Sequence, residues 1–487
     1  MKLEIGNMRN KGNMGNKEIW EIREMGNREK TAIPLMPYFP YTHYIPYTIL
    51  TICLTFFVLN YSGFAGNNNL ISLEVQSNQN QGEYEDYTVK NEDIIYKDNI
   101  KTVLLYKTGF EFSQPIITLF TNEKLKLSFD DLIDVVKTYK YTLIHCDANW
   151  ETSEIQQNEY IEGFTEDFIE DYQFSFNTII PYIHYELIFP TQYLKPTVSG
   201  NYILKVYLDN DEDENVAFTL RLMIVNPKVV LEAKVKRAIH VQDMDYKQEI
   251  DFWINTNGFY ISTPYKDLKV ILRQNGRWDN IINNLEPRII NRDQLDYNYD
   301  GKIVFNGGNE FRDFDFKSMK YNSERIRKID REYDAYDIFL RDDVSRPYKI
   351  YISEKDINGK KFIKTEDANN SDIEAEYANV HFSLPYQAPL YDGNLYVFGS
   401  LTNWNFTKAG LMKFNFDNHH YETTMLLKQG YYEYVYMFLK KGSKTGDVTF
   451  IEGNHYETSN DYSICVYYRK PGTFYDKLIA VKEISFP

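Results

Sequence analysis

The chain has few cysteines, a deficit of basic residues and no long apolar run, and each shortage removes a class of function. Only three of its 487 residues are Cys, too few for a disulfide framework. No CxxC or HxxxH pair occurs, so no zinc-ligand spacing is present. The phosphate loop, the GxSxG elbow, the HExxH helix and the dinucleotide fingerprint are absent as well. Lys and Arg number 54 against 70 Asp and Glu, a net charge of −16, which argues against the basic footprint of a nucleic-acid partner. The apolar run Tyr47 to Leu59 is about thirteen residues long, short of the roughly twenty that a membrane helix needs.

Aromatic residues are what the chain has in quantity, with 42 Tyr and 31 Phe. Such side chains favour pleated, half-buried surfaces and point to β structure. The length suggests two to four domains. Small residues Gly63 and Ala65 follow the Tyr47–Leu59 run at the −3 and −1 positions of a signal-peptidase site, so residues 1–65 read as leader and signal peptide, cleaved after Ala65. The flank Pro37 to Pro46 carries no Lys or Arg, which places an alternative translation start near Met36. A lipoprotein reading of Cys53 is weak, because Leu50-Thr51-Ile52 supplies no small residue before it. Export leaves Cys146 and Cys465, expected as two buried free thiols, and no transmembrane segment. Residues 66–97 are polar and rich in Asn, Gln and Glu, and are expected to be a largely disordered tail.

Short strands with turn signals then follow one another, predicting an all-β chain of tandem immunoglobulin-like sandwiches, three in number. The first spans 98–226 and ends at Asn226-Pro227; its clearest hairpin joins Tyr202–Leu208 to Ala217–Val225. The second spans 227–365, with turn signals at Asn275-Gly276 and Asn358-Gly359, the latter expected to join Tyr348–Ile352 to Phe362–Lys364 in a hairpin. Residues 325–340 read as helix by the spacing of Ile326, Ile329, Tyr333 and Tyr336, and as strand by Tyr336 to Leu340. A linker over 366–379 leads to a third sandwich over 380–487.

Three clusters invite a chemical reading, and each yields to a simpler one. His145, Cys146 and Asp147 are consecutive, with His184 as a conceivable further ligand. On a strand, His145 and Asp147 share one face and Cys146 takes the other, so the three do not converge. Asp209, Asp211 and Asp213 sit at positions 1, 3 and 5 of a calcium loop. Glu214 replaces its glycine and Leu220 its bidentate glutamate, which leaves a solvated hairpin turn. Glu162, Glu166, Asp167, Glu170 and Asp171 could supply a glycosidase pair, yet with 70 carboxylates in the chain a charged solubilising loop is the stronger account of them. No catalytic, cofactor-binding or metal-ligating residue is assigned, and the chain is expected not to be an enzyme and to need no cofactor. The stretch Phe398-Gly399-Ser400-Leu401-Thr402-Asn403-Trp404-Asn405, followed by Gly430 to Tyr436, resembles the start of glycogen-binding, early-set immunoglobulin-like modules. An exposed Trp404 would make a glycan-binding protein the alternative.

Several motifs in order carry a broader resemblance. Tyr141 to Trp150 (YTLIHCDANW), Tyr160 to Phe164, Tyr172 to Thr178, Tyr182 to Tyr185, Ser199 to Tyr202, Gln274 to Trp278 and Asn309 to Arg312 resemble the signature of the type IX secretion system plug proteins. The resemblance runs from about Asp98 to the C-terminus. It implies an exported, non-enzymatic β-sandwich protein of the periplasm, whose partner is the outer-membrane translocon barrel and which closes the periplasmic mouth of the pore. No nucleic acid and no small-molecule substrate is implied. The acidic, aromatic excursion from Trp150 to Tyr172 is the expected contact surface, since Tyr buries area at low entropic cost while keeping a polar tip.

Overall fold

A computed structural model describes residues 88–486. The leader, the signal peptide, Cys53, the Met36 start and most of the polar tail lie outside the described residues. The described part is all β, built from three sandwiches.

In the first sandwich, one sheet runs Ile94–Ile95, Val216–Val225, Gly200–Leu208, Tyr139–Cys146, Glu166–Ile169, with Ile116–Thr118 parallel to Val216–Val225. The other runs Ile100–Lys107, Leu125–Asp131, Ile183–Phe189, Asp171–Phe174. The core between them is aromatic: Phe129, Tyr139, Tyr141, Tyr185, Tyr202 and Phe218 are fully buried. Phe129 stacks on Tyr185 with ring centroids 5.1 Å apart and meets Tyr139 and Phe218 edge-on. The end of the expected tail is folded, because Ile94–Ile95 pairs with Val216–Val225.

Gly200–Leu208 and Val216–Val225 are buried on both faces, which explains their near-continuous apolar sequences. Their second face packs on the next sandwich: Cys146, Trp150, Ile203, Met223 and Val225 meet Ile271, Cys465, Tyr467 and Leu478. That second sandwich has one sheet of Val230–Arg237, Lys247–Asn255, Gln294–Asp296 and Ile289–Ile290, with Val304–Asn306 also on Lys247–Asn255. Its other sheet is Leu268–Gln274, Asn460–Tyr468, Lys477–Phe486. The third sandwich pairs Gly430–Lys440 with Arg312–Asp315, Lys361–Ile363 and Gly393–Phe398, and faces this sheet with Ile326–Arg331, Tyr336–Leu340, Tyr377–Pro385, His420–Lys428 and Lys413–Asn415.

The sheets therefore divide the chain differently from the expected boundaries at 365 and 380. Strands from Arg312 to Ile363 belong to the third sandwich, and Asn460–Phe486 returns to complete the second. The third sandwich is an insertion between the two halves of the second. Residues 325–340 form a strand hairpin. The hairpin expected around Asn358-Gly359 does not form. Lys361–Ile363 pairs with Gly430–Lys440 instead, while the turn hangs on the Glu433 carboxylate, which accepts bonds from the Ile357 and Gly359 N–H groups at 2.8 and 2.9 Å.

Buried polar groups tie the sandwiches together. Lys428 of the third reaches Asp130 of the first at 2.7 Å, and the Tyr377 hydroxyl donates to the same carboxylate at 2.6 Å. Glu376 accepts from the Ile179 and Ile180 amides. Between first and second, the Asp476 carboxylate accepts from the Ala148 N–H, and Tyr467 donates to Asn201. Between second and third, Lys360 pairs with Asp461 at 2.9 Å.

Candidate functional site

His145 and Cys146 point to opposite sides of Tyr139–Cys146, while the strand ends before Asp147, which lies in the following turn. His145 is buried against Tyr160, Tyr202 and Tyr475, with its Nδ1 2.8 Å from the Ser153 hydroxyl. Burial pushes its pKa down to about 4. Cys146 faces the second sandwich as a buried free thiol, and Cys465 of the second sandwich lies buried and free at the same seam. Burial pushes their pKa values up to about 12 and about 11, so neither is a thiolate nucleophile at neutral pH. The Asp147 carboxylate accepts from the Asn149 and Glu151 amides and lies 3.5 Å from Lys269. It shapes a turn and an inter-sandwich contact.

His184 is on the opposite sheet of the first sandwich, far from any role beside His145. Its Nδ1 lies 2.6 Å from Asp130 and its Nε2 3.3 Å from Glu186. Burial alone would lower its pKa, but these hydrogen bonds outweigh burial and raise it. His184, Glu186 and Asp372 can bring ligand atoms within 4.8 Å of one another, but Lys126 ion-pairs with both carboxylates, satisfying the charge a cation would meet. Asp209 to Glu214 is an exposed hairpin turn whose Asp213 carboxylate accepts from the Val89 N–H.

Trp404 does not form an open platform. Phe311 and Phe398 meet its ring edge-on, and Gly276 lies so close that a Cβ there would come within 2.1 Å of its indole nitrogen. The Gln274–Trp278 motif needs glycine for that contact. The Asn309–Arg312 motif is likewise structural. The Arg312 guanidinium binds Glu452 through Nε and Nη2 and Asp343 through Nη1 at 2.9 Å, while the Tyr434 and Tyr436 hydroxyls donate to Asp343 at 2.6 and 2.7 Å. Burial alone would lower the Arg312 pKa; the two carboxylates outweigh it and raise it.

The acidic, aromatic excursion is a solvent-facing part of the first sandwich. Trp150, its expected first aromatic, is buried at the second sandwich and is not part of the surface. Beyond it, Glu166–Ile169 is the edge of one sheet and Asp171–Phe174 the edge of the other, so Glu170 links the free edges of both. Phe164, Phe168, Tyr172, Phe174, Phe176 and Tyr193 are all exposed, with Phe164 and Phe176 each 64 % exposed. Glu166 bonds Tyr207 and Lys140, and Asp167 accepts from the Thr191 and Tyr141 hydroxyls. These carboxylates brace the edge, and no acid–base pair emerges from them. An exposed edge with unpaired backbone groups and large apolar side chains is a template for another chain.

Comparison with known proteins agrees with this geometry. The family model described as "Type 9 secretion system plug protein 1st domain" matches residues 100–226, the first sandwich with its aromatic edge. A crystal structure of a hypothetical protein from Parabacteroides merdae is 36 % identical, with a TM-score of 0.79, covering 82 % of this chain and 100 % of its own. The C-terminal domain of the Streptococcus pyogenes antigen I/II-family protein AspA is 7 % identical over 78 % of this chain and 98 % of its own, and dimeric latent PorU from Porphyromonas gingivalis 9 % over 80 % and 34 %; both have TM-scores of 0.13, too low to carry an argument. No curated protein matches the chain. With a family domain over its first sandwich and a relative matched along its whole length, this chain belongs to the type 9 secretion system plug protein family.

Proposed function

We propose that this type IX secretion protein acts without catalysis, as a plug that docks on the outer-membrane translocon barrel and closes the periplasmic opening of its pore. The observation that carries the reading is the aromatic double edge of the first sandwich, from Phe164 to Phe176, in the domain that the family model matches. Large aromatics over an acidic strand edge suit a protein partner better than a small substrate, because they offer contact area and main-chain pairing together. The inter-sandwich polar contacts support the reading too, since a body that blocks a pore has to resist bending. Export through the Tyr47–Leu59 signal segment and residence in the periplasm complete the proposal.

Deletion of the chain should leave the outer membrane leaky only in cells that also carry the translocon. Equal permeability with and without the chain would exclude plugging. The contact surface is tested separately: Phe174→Ser with Phe176→Ser should abolish co-purification with the translocon in mild detergent while the protein stays folded, and undiminished co-purification would place the contact elsewhere.

A further inference from the structure

The three sandwiches meet around a cleft of about 440 Å³. Its walls include Arg221 from the first, Arg273 from the second and Lys361 from the third, together with Trp150, Trp278 and Trp404. Guanidinium groups stack through it: Arg221 lies 5.1 Å from the ring centres of both Trp150 and Trp278, and Arg273 lies 4.3 Å from Trp278.

The cleft walls carry four cations and four carboxylates, but their pairing is uneven. Buried Arg and Lys are nearly always paired with carboxylates. Arg273 is buried, yet bonds only to the Ser463 hydroxyl and the Gln114 side chain and has no carboxylate within ion-pair distance among the described residues. Half-buried Lys361 has no ion pair among them either, and burial pushes its pKa down to about 8. Of the three, only Arg221 makes an ion pair, with Asp93 at 3.4 Å, while Asp93 and Glu483 act on Arg273 from beyond ion-pair distance. Lys360 and Asp461 neutralise each other, and Glu111 and Glu483 stand exposed at the rim. Donors are left over as well: Trp150 Nε1, nine-tenths buried, and Arg221 Nε are buried without a hydrogen-bond partner among the described residues.

The cleft already holds one peptide carboxylate in this manner. Asp93 lies on the chain entering the first sandwich. Its side chain accepts from the Arg221 amide and guanidinium, and its carbonyl accepts from the Asn405 side chain. A carboxylate held by a backbone amide and a guanidinium is therefore chemistry that these walls already accommodate.

We propose that the cleft is a second binding site, which takes an acidic peptide segment by placing its carboxylate among Arg221, Arg273 and Lys361 and its apolar side chains against Trp278 and Trp404. This is independent of the plug reading and of the aromatic edge. Carboxylate recognition by Arg is geometric as well as electrostatic, so the amide analogue should be refused.

Three of the five tryptophans line the cleft, which makes intrinsic fluorescence a reporter. The full chain is titrated with acetyl-Glu-Tyr-Glu-Asp and, in parallel, with acetyl-Gln-Tyr-Gln-Asn, followed by fluorescence and calorimetry. Saturable binding of the acidic peptide, at least tenfold weaker for the amide, is expected. Lys361→Gln, on a half-buried strand, should weaken the acidic peptide fivefold or more with an unchanged melting transition. Equal binding of the two peptides, no saturation up to about 1 mM, or stronger binding of inorganic phosphate than of the peptide would each overturn the proposal. The acid–amide comparison uses unaltered protein, so it decides even if the variant misfolds.

Discussion

Arg312 and Arg273 are both buried guanidinium groups, 9 % and 5 % exposed, and they live in opposite electrostatic conditions. Arg312 is enclosed by Glu452, Asp343 and the Val344 carbonyl. Arg273 has two neutral partners and an indole face. The histidines of the first sandwich repeat the contrast: His184 sits between two carboxylates, His145 among aromatic rings and one hydroxyl. A compensated charge holds the fold together. An uncompensated one is either kept neutral, as in His145, or left to meet a ligand, as proposed for Arg273.

This contrast breaks most easily at Arg312. Arg312→Met removes the charged hydrogen bonds to Glu452 and Asp343, which keep Arg346 and Arg325 as partners, and should cost about 2–3 kcal/mol, read as a fall in the denaturant midpoint. A cost under about 1 kcal/mol would mean that compensation does not distinguish the two sites. The histidines come next. The folded-state pKa of His145 is about 4, below the ordinary 6.5. Its neutral form contributes in full above pH 6.5, and stability drains as pH falls toward 4, because the unfolded chain takes the proton first. The stability difference between wild type and His145→Gln should shrink by about 2 kcal/mol from pH 7 to pH 5. His184 has the reverse sign: its pKa is raised, so its contribution is complete below 6.5 and is lost as pH rises through the folded value. The difference for His184→Gln should grow on acidification. Parallel pH profiles for the two variants would erase the distinction. Arg273→Met, which keeps the apolar stem over Trp278, should cost less than about 1 kcal/mol, since the loss of two neutral hydrogen bonds is partly offset by relieving an unpaired charge. Smallest of all, Phe174→Ser with Phe176→Ser should move stability by no more than about 0.5 kcal/mol, measured in the same denaturation series.

Much of the fold was legible from alternation and turn residues, because those signals are local. Tyr139–Cys146 and Gly200–Leu208 are strands where the pattern puts them, and the separation of His145 from Cys146 follows from a period of two. Partnership was not legible. Nothing in Asn460–Tyr468 says that its neighbour is Leu268–Gln274, nearly two hundred positions earlier. Tyr348 to Ile352 alternates like a strand, yet Tyr348, Ile350 and Ile352 are exposed, Tyr351 turns back to bond Glu310, and the stretch joins no sheet among the described residues, because Gly430–Lys440 takes Lys361–Ile363 instead. The structural motifs stood out as strings while their purpose did not: Gly276 serves Trp404, and Arg312 serves Glu452, each over more than a hundred positions. The cleft left only a faint mark, single arginines inside the apolar runs AFTLRLMIV and KVILRQ. Its three cations come from three sandwiches, so no window of sequence contains them.

The return of Asn460–Phe486 to the second sandwich also sets an order in time. A chain delivered N-terminus first can close its first sandwich at once and its third before the end arrives. The second must wait, with Leu268–Gln274 lacking its strand partner until Asn460–Tyr468 emerges. The second sandwich is thus the last to become solid, and the cleft and two of the three inter-sandwich seams lean on it, so those parts stiffen only when Lys477–Phe486 locks in.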